Sequence, residues 1–272
     1  MFKNIIIGQY LPGTSPLHRM NPAVKIVFTL IYVIVLFSVN TPVSYAAFAV
    51  YTFALILISK VPVKMIVRGV RPMLWIFILT AVLNIFMTPG NIIWSINIFK
   101  LTVVVTREGL IMGTAMVIRL LFLVIGTSLL TLTTSPLQLT DGIEVLLKPL
   151  KKIKVPAHEI AMMMTIAIRF IPTLAEETDK IMKAQTARGA DFETGNIIRR
   201  AKAMTPLLIP LFVSAFRRAD ELATAMEARC YNSGINRTKM KESKITSLDI
   251  ISAIIFIAGG LFLILAEFWI EI

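Results

Sequence analysis

The sequence predicts an all-α polytopic membrane protein, with about five transmembrane helices plus a cytoplasmic module of long helices. Three observations carry this prediction. Hydrophobic residues make up 56% of the 272 and charged residues only 16%, against about 45–50% and about 25% in soluble domains. With a mean hydropathy of +0.78, too little polar surface remains to coat a water-soluble globule. Apolar stretches of bilayer-crossing length recur along the chain, and its basic residues fall lopsidedly between the loops. Disordered, collagen-like and small disulfide-scaffold classes are excluded. The single Cys230 and the two histidines, His18 and His158, leave no intrachain disulfide and no Cys-cluster metal site.

The elements are justified in order. The apolar run Ile5-Ile6-Ile7 is broken by Gly8, Pro12 and Gly13, shorter than the roughly 7–15 residues of a signal-peptide core. No cleaved leader is therefore expected. Spans are expected at 24–39, 43–59, 72–88, 109–132 and 248–270, near the roughly 17–25 residues that cross a bilayer. Pro89-Gly90 opens 89–108, where the β-branched stretch from Ile92 to Thr106 reads as a short extramembrane hairpin or re-entrant piece. Gly109 and Gly113 form a Gly-x-x-x-Gly pair that lets another helix approach closely. The organisation expected is 1–133 (tail and four spans), 134–247 (cytoplasmic module) and 248–272 (final span).

Lysine and arginine set the sidedness. Of 28 basic residues, 18 lie in 134–247. Lys3, Arg19 and Lys25 mark the tail, and Lys60, Lys64, Arg68 and Arg71 the second loop. The opposite side receives only Lys100 and Arg107. The N-terminus and the module are thus expected in the cytoplasm, and the C-terminus outside. The net charge of +12 belongs to these loops and implies no nucleic-acid partner.

Three helices are readable in the module. The first runs from Pro136 to Leu150, and the second from after Pro156 to Ala187, with Gly189 as C-cap. The third runs from Asn196 to Arg229. The last two would each be about 45–50 Å long. Both are apolar in their first halves, from Ile160 to Leu174 and from Met204 to Phe216, and charged beyond. Each carries a mid-helix Ile-Pro, at 171–172 and 209–210, which predicts a bend. Their distal ends match at an offset of 41: Asp179, Ala184, Ala187 and Arg188 align with Asp220, Ala225, Ala228 and Arg229. A basic residue complements the dipole of any helix end, but a doubled end suggests a doubled partner.

Ala187-Arg188-Gly189 and Ala228-Arg229-Cys230 resemble the paired Ala-Arg-Gly signatures of the transmembrane T component of energy-coupling factor (ECF) transporters. The stretch from Gly8 to Pro22 is similar to that family's N-terminal signature, and the likeness covers the whole chain. Thr14 and Asn21 stand where the family often has Asp, and Cys230 stands in place of Gly. The resemblance implies a scaffold in the cell membrane, with coupling helices that join two ABC ATPase subunits to a membrane-embedded S component for a vitamin or a transition-metal ion. No cofactor is then expected in this chain, because ATP and Mg would be bound by the partner ATPases. Arg188 and Arg229 are the expected ATPase contacts, since a guanidinium offers a rigid, permanently charged fork. Met162, Met163, Met164 and Met204, flexible and polarizable, are the expected surface for the S component.

Catalytic chemistry is sparse. No Gly-x-x-x-x-Gly-Lys-Ser/Thr loop occurs, so ATP hydrolysis by this chain is not expected. Glu176, Glu177 and Asp179 read as a solvated helix face; their other reading is a metal site in a membrane phosphotransferase. An ordinary ABC permease is a further alternative. His158 and Glu159 read as N-terminal capping of a helix, and His18 as a local hydrogen-bonding residue. Arg119 is the only deep charge within a span and a functional candidate on that ground. Glu108 and Glu267 stand at span ends, too shallow for a proton- or sodium-coupled carrier. The sequon Asn236-Arg237-Thr238 falls in the cytoplasmic segment and is discounted.

Overall fold

The computed structural model describes residues 10–98, 101–192, 196–231 and 246–271. The Ile5–Ile7 run, Gly8, the sequon at 236–238 and Ile272 lie outside them. The chain divides into two compact units. One comprises the described residues of Gly8–Gly142 and Ser243–Ile272, and the other those of Ile143–Glu242.

In the first unit, proline and a capping side chain set three helix starts. Helices α1 (Pro16–Arg19), α2 (Pro22–Ser38) and α3 (Pro42–Ser59) each begin at a proline. Ser15, Asn21 and Thr41 precede them and accept from the backbone N–H groups of His18, Ala23 and Ser44. Proline's fixed φ suits the first helical position, and the cap satisfies an orphan donor. Asn21 therefore caps α2 as an aspartate would. Beyond Lys60, which ends α3 at φ 53°, α4 (Val63–Val70) leads through a 3₁₀ turn at Arg71–Met73 into α5 (Leu74–Met87).

Strands β1 (Ile92–Ile98) and β2 (Leu101–Thr106) pair antiparallel, with Ile92 opposite Thr106 and Ile98 opposite Leu101. The expected hairpin is present. Helix α6 (Arg107–Thr133) follows, and α10 (Ser247–Glu271) completes the unit. Among the described residues Pro42–Ser59, Val63–Met87 and Arg107–Thr133 are long and apolar enough to cross a membrane, while Pro22–Ser38 and Ser252–Leu263 are shorter apolar helices. The helix that holds the third expected span, 72–88, begins earlier, at Val63, because the 3₁₀ turn continues α4 into α5 across Pro72 instead of breaking it.

Small residues set the helix packing. A Cβ on Gly126 would collide with the Tyr32 ring. That ring's hydroxyl lies 3.0 Å from Thr52 Oγ1 and donates to the Phe122 carbonyl at 3.1 Å. Tyr32, Phe48, Tyr51, Phe28 and Phe256 form a chain of ring contacts, with Phe28 stacked on Phe256 at 4.6 Å. A Cβ on Gly109 would stand 2.8 Å from the Ile85 carbonyl, and one on Gly113 would stand 3.3 Å from Ile85 Cγ1. The Gly-x-x-x-Gly pair is thus the face on which α6 meets α5.

Buried polar groups tie the ends of this unit. Lys25, 4% exposed, donates to the carbonyls of His18 (3.3 Å) and Thr133 (3.0 Å) and to Thr134 Oγ1 (3.3 Å). Asp249 accepts from the Asn21 and Thr246 N–H groups at 2.8 and 2.7 Å, pinning the start of α10 to that of α2. Elsewhere, Glu267 accepts from the N–H groups of Asn40 (2.7 Å) and Thr41 (2.8 Å) and from the Thr41 hydroxyl (3.0 Å). Arg119 donates to the Val39 carbonyl at 2.8 Å and to Asn40 Oδ1 at 3.1 Å, with its guanidinium over the Phe37 and Tyr45 rings. Arg119 and Glu267 thus hold the α2–α3 turn, and Glu108 accepts from the backbone and side chain of Asn91.

Helix α7 (Pro136–Leu147) begins in the first unit and ends in the second, where it gives way to a 3₁₀ turn at Lys148–Ile153 that ends with Lys154 at φ 63°. The α-helix expected to reach Leu150 stops earlier, because Pro149 cannot donate an i→i−4 hydrogen bond. Ser135 and Gln138 form a reciprocal capping box at the start of α7. Helices α8 (Ala157–Ala187) and α9 (Ile197–Ala228) are unbroken through Pro172 and through Pro206 and Pro210 respectively. The prolines sit inside continuous helices. His158 makes no cap: α8 has no side-chain cap, and His158 Nδ1 lies 3.2 Å from the buried Glu144 carboxylate.

Candidate docking site

The candidate site is the pair of helix ends at Arg188 and Arg229. In α8 the Arg188 N–H donates to the Gln185 carbonyl (3.0 Å), the Gly189 N–H to Thr186 (2.9 Å) and the Ala190 N–H to Gln185 (3.0 Å). In α9 the Arg229 N–H donates to Met226 (3.1 Å), the Cys230 N–H to Glu227 (2.8 Å) and the Tyr231 N–H to Met226 (2.9 Å). Every donor and acceptor of the second set is the first shifted by 41 residues. Arg188 and Arg229 have nearly the same backbone, φ −88° and −91°. Gly189 and Cys230 both take the left-handed conformation, at φ 88° and 53°. Cys230 therefore keeps the tight cap although it lacks glycine's freedom at positive φ.

All six tip residues, Ala187, Arg188, Gly189, Ala228, Arg229 and Cys230, are exposed. Upstream, Arg218 Nη2 lies 3.6 Å from Glu177 Oε2, which joins α9 to α8. This pairing engages one carboxylate of the acidic cluster at 176–179. Among the described residues no group of three or more His, Cys, Asp or Glu is arranged to hold a metal ion.

The methionines separate. Met163 and Met204 are 58% and 48% exposed, whereas Met162 and Met164 are half-buried. The more extensive apolar face is on α9: Leu208, Ile209, Phe212, Val213 and Phe216 are each between 50% and 70% exposed. Their spacing places them on one side of a helix, a periodicity present in the sequence but not singled out from it.

Long apolar helices and a repeated, exposed Ala-Arg helix end place the chain among all-α membrane proteins. Residues 13–240 match the family model CbiQ, described as a cobalt transport protein. Three similar proteins, each named energy-coupling factor transporter transmembrane protein EcfT, come from Clostridium kluyveri, Bacillus subtilis and Streptococcus thermophilus. The first is 56% identical, over 99% of both chains. The second is 47% identical over 94% of this chain and 98% of its own, and the third 45% over 95% and 97%. The chain belongs to the CbiQ family of transporter membrane proteins.

Proposed function

We propose that this chain is the transmembrane scaffold of an ECF-type importer, coupling ATP hydrolysis by two cytoplasmic ATPase subunits to movement of a substrate-binding S component for a vitamin or metal ion. The chain is a non-catalytic subunit in this reading: ATP and Mg belong to the ATPases, and substrate recognition to the S component. The tail and the module lie in the cytoplasm and the C-terminus outside. The observation that carries the reading is the duplicated cap, which presents Arg188 and Arg229 on the same backbone geometry. Two equal tips suit two related ATPases, each receiving a guanidinium in a groove of carboxylates or carbonyls. The exposed face of α9, with Met204 and the Met162–Met164 run, suits an S component, since adaptable side chains serve changing partners.

The test is co-purification. Arg188→Glu with Arg229→Glu should abolish ATPase association while membrane insertion survives. Each substitution costs about 2–5 kcal/mol at a desolvated contact. Charged substitutions at Met162–Met164 should instead weaken S-component capture with the ATPases retained. A double arginine variant that assembles and transports normally would overturn the assignment.

A further inference from the structure

We propose that α4 is an interfacial helix whose basic edge binds the headgroups of anionic phospholipids. At about 100° per residue, its side chains fall on three faces. Met65 and Ile66 pack in an apolar cluster with Val61, Leu129 and Leu132, and Gly69 faces Ser128 Oγ, 3.2 Å from where a Cβ would stand. Val63 and Val67, 63% and 57% exposed, form a second face that Val70 extends. Lys64, Arg68 and Arg71 form the third, beside the valines, and are all exposed. One face is held by protein, one is apolar and unpartnered, and one is cationic. That is the layout of a helix lying at a bilayer surface.

Charge complementarity selects the occupant. No Asp or Glu precedes Glu108 in the sequence. Among the described residues no carboxylate forms an ion pair with Lys60, Lys64, Arg68 or Arg71. The side-chain contact of Arg68 is to Met65 Sδ, at 4.0 Å. A phosphodiester headgroup supplies the missing anions, and its acyl chains cover the valine face. That face continues into the exposed Leu74 and Ile78 of α5. An acidic protein partner would satisfy the cations but leave the adjoining valines bare.

Trp75, 72% exposed and four residues beyond Arg71, is a built-in reporter. The full chain carrying Trp94→Phe and Trp269→Phe is reconstituted into phosphatidylcholine vesicles containing brominated phosphatidylglycerol or, in parallel, brominated phosphatidylcholine. Quenching of Trp75 should report an association constant for the anionic lipid at least about fivefold above that for the zwitterionic one, the effect of about one effective charge near the surface. The preference should fall to about one in Lys64→Gln/Arg68→Gln/Arg71→Gln, and also at about 1 M salt, where the Debye length is about 3 Å. Lys64→Arg should retain it. Equal quenching by the two lipids in the parent, or a preference that survives the triple substitution, overturns the proposal. So does loss of co-purifying ATPase subunits from a triple variant whose parent shows no lipid preference, which would give the basic face to a protein partner. Should the triple variant fail to insert, the salt titration of the parent decides.

Discussion

Glu177 and Arg218, 3.6 Å apart, occupy equivalent places in two helices: their separation of 41 residues is the offset that superposes the helix ends. Each stands eleven residues before an arginine tip, at Arg188 or Arg229. The two helices thus meet where the repeat places matching residues, with equal lengths of helix beyond. The pair is partly exposed and contributes only about 0–1 kcal/mol to stability, so its expected role is geometric. Glu177→Lys should place two cations at the contact and broaden the distance between spin labels at positions 186 and 227, with little change in thermal midpoint. Adding Arg218→Glu should narrow it again. An unchanged distance in both variants would show that the apolar contacts alone fix the tips.

The two caps should respond oppositely to glycine exchange. Nothing stands within 4 Å of a Cβ at Gly189, so Gly189→Ala should cost only the left-handed strain, about 1–2 kcal/mol. Cys230→Gly should relieve that strain, less the about 0.5–1 kcal/mol that glycine's unfolded-state entropy takes back. Hydrogen exchange at the Ala190 and Tyr231 amides checks both: faster in the first variant, and equal or slower in the second. Faster exchange at Tyr231 in Cys230→Gly would show that the thiol side chain itself holds the cap.

Lys25 joins α1, α2 and the end of α6 through three acceptors. Lys25→Met keeps most of the stem but leaves the Thr133 and His18 carbonyls without this donor, at about 1–3 kcal/mol for each group left buried and unpaired. Midpoints measured in detergent should fall by about 2–4 °C for each kcal/mol. Lys25→Ala should fall further, because it also opens a cavity. Equal midpoints for the methionine variant and the parent would mean that the ammonium adds nothing net.

His18 supplies a pH dependence. Its Nδ1 lies 2.6 Å from Ser15 Oγ and its Nε2 3.0 Å from the Leu11 carbonyl. Burial, reinforced by the Lys25 charge, lowers its pKa below the usual 6.5 despite the hydrogen bond to Leu11. The folded state then binds fewer protons than the unfolded state just below pH 6.5. This stabilisation is complete above that value and is lost progressively as pH falls below it through the lowered folded-state value. Thermal midpoints between pH 8 and pH 5.5 should therefore drop more steeply for the parent than for His18→Gln. The same slope in both would assign the pH dependence to other groups.

Much of this was legible in the chain. Ser15-Pro16, Asn21-Pro22 and Thr41-Pro42 announce helix starts, since the cap and the proline act within a few residues. The hairpin at 92–106, the Gly109/Gly113 contact face and the ends of α8 and α9 were also readable. The start of the third apolar helix was not, because Lys64, Arg68 and Arg71 read as a charged loop while the backbone winds through them as helix. His158 read as a cap, and its partner Glu144 lies in a different helix. Met162 and Met164 could not be separated from Met163 by sequence, because exposure depends on what packs against each side.

The sequence by itself determined the class, the apolar helices and the doubled Ala-Arg tip, because hydropathy, capping and repetition are properties of neighbours along the chain. Only the tertiary structure decided that Cys230 keeps a glycine-like backbone, that Glu177 meets its own counterpart in the repeat, Arg218, and that Lys25, Asp249 and Glu267 act as clasps between helix ends. Lys25 and Thr133, Asp249 and Asn21, and Glu267 and Asn40 are separated by 108 to 228 residues. A hydrogen bond between such distant positions leaves no periodicity in sequence. It exists only once packing has brought a buried donor within about 3 Å of an acceptor that water can no longer reach.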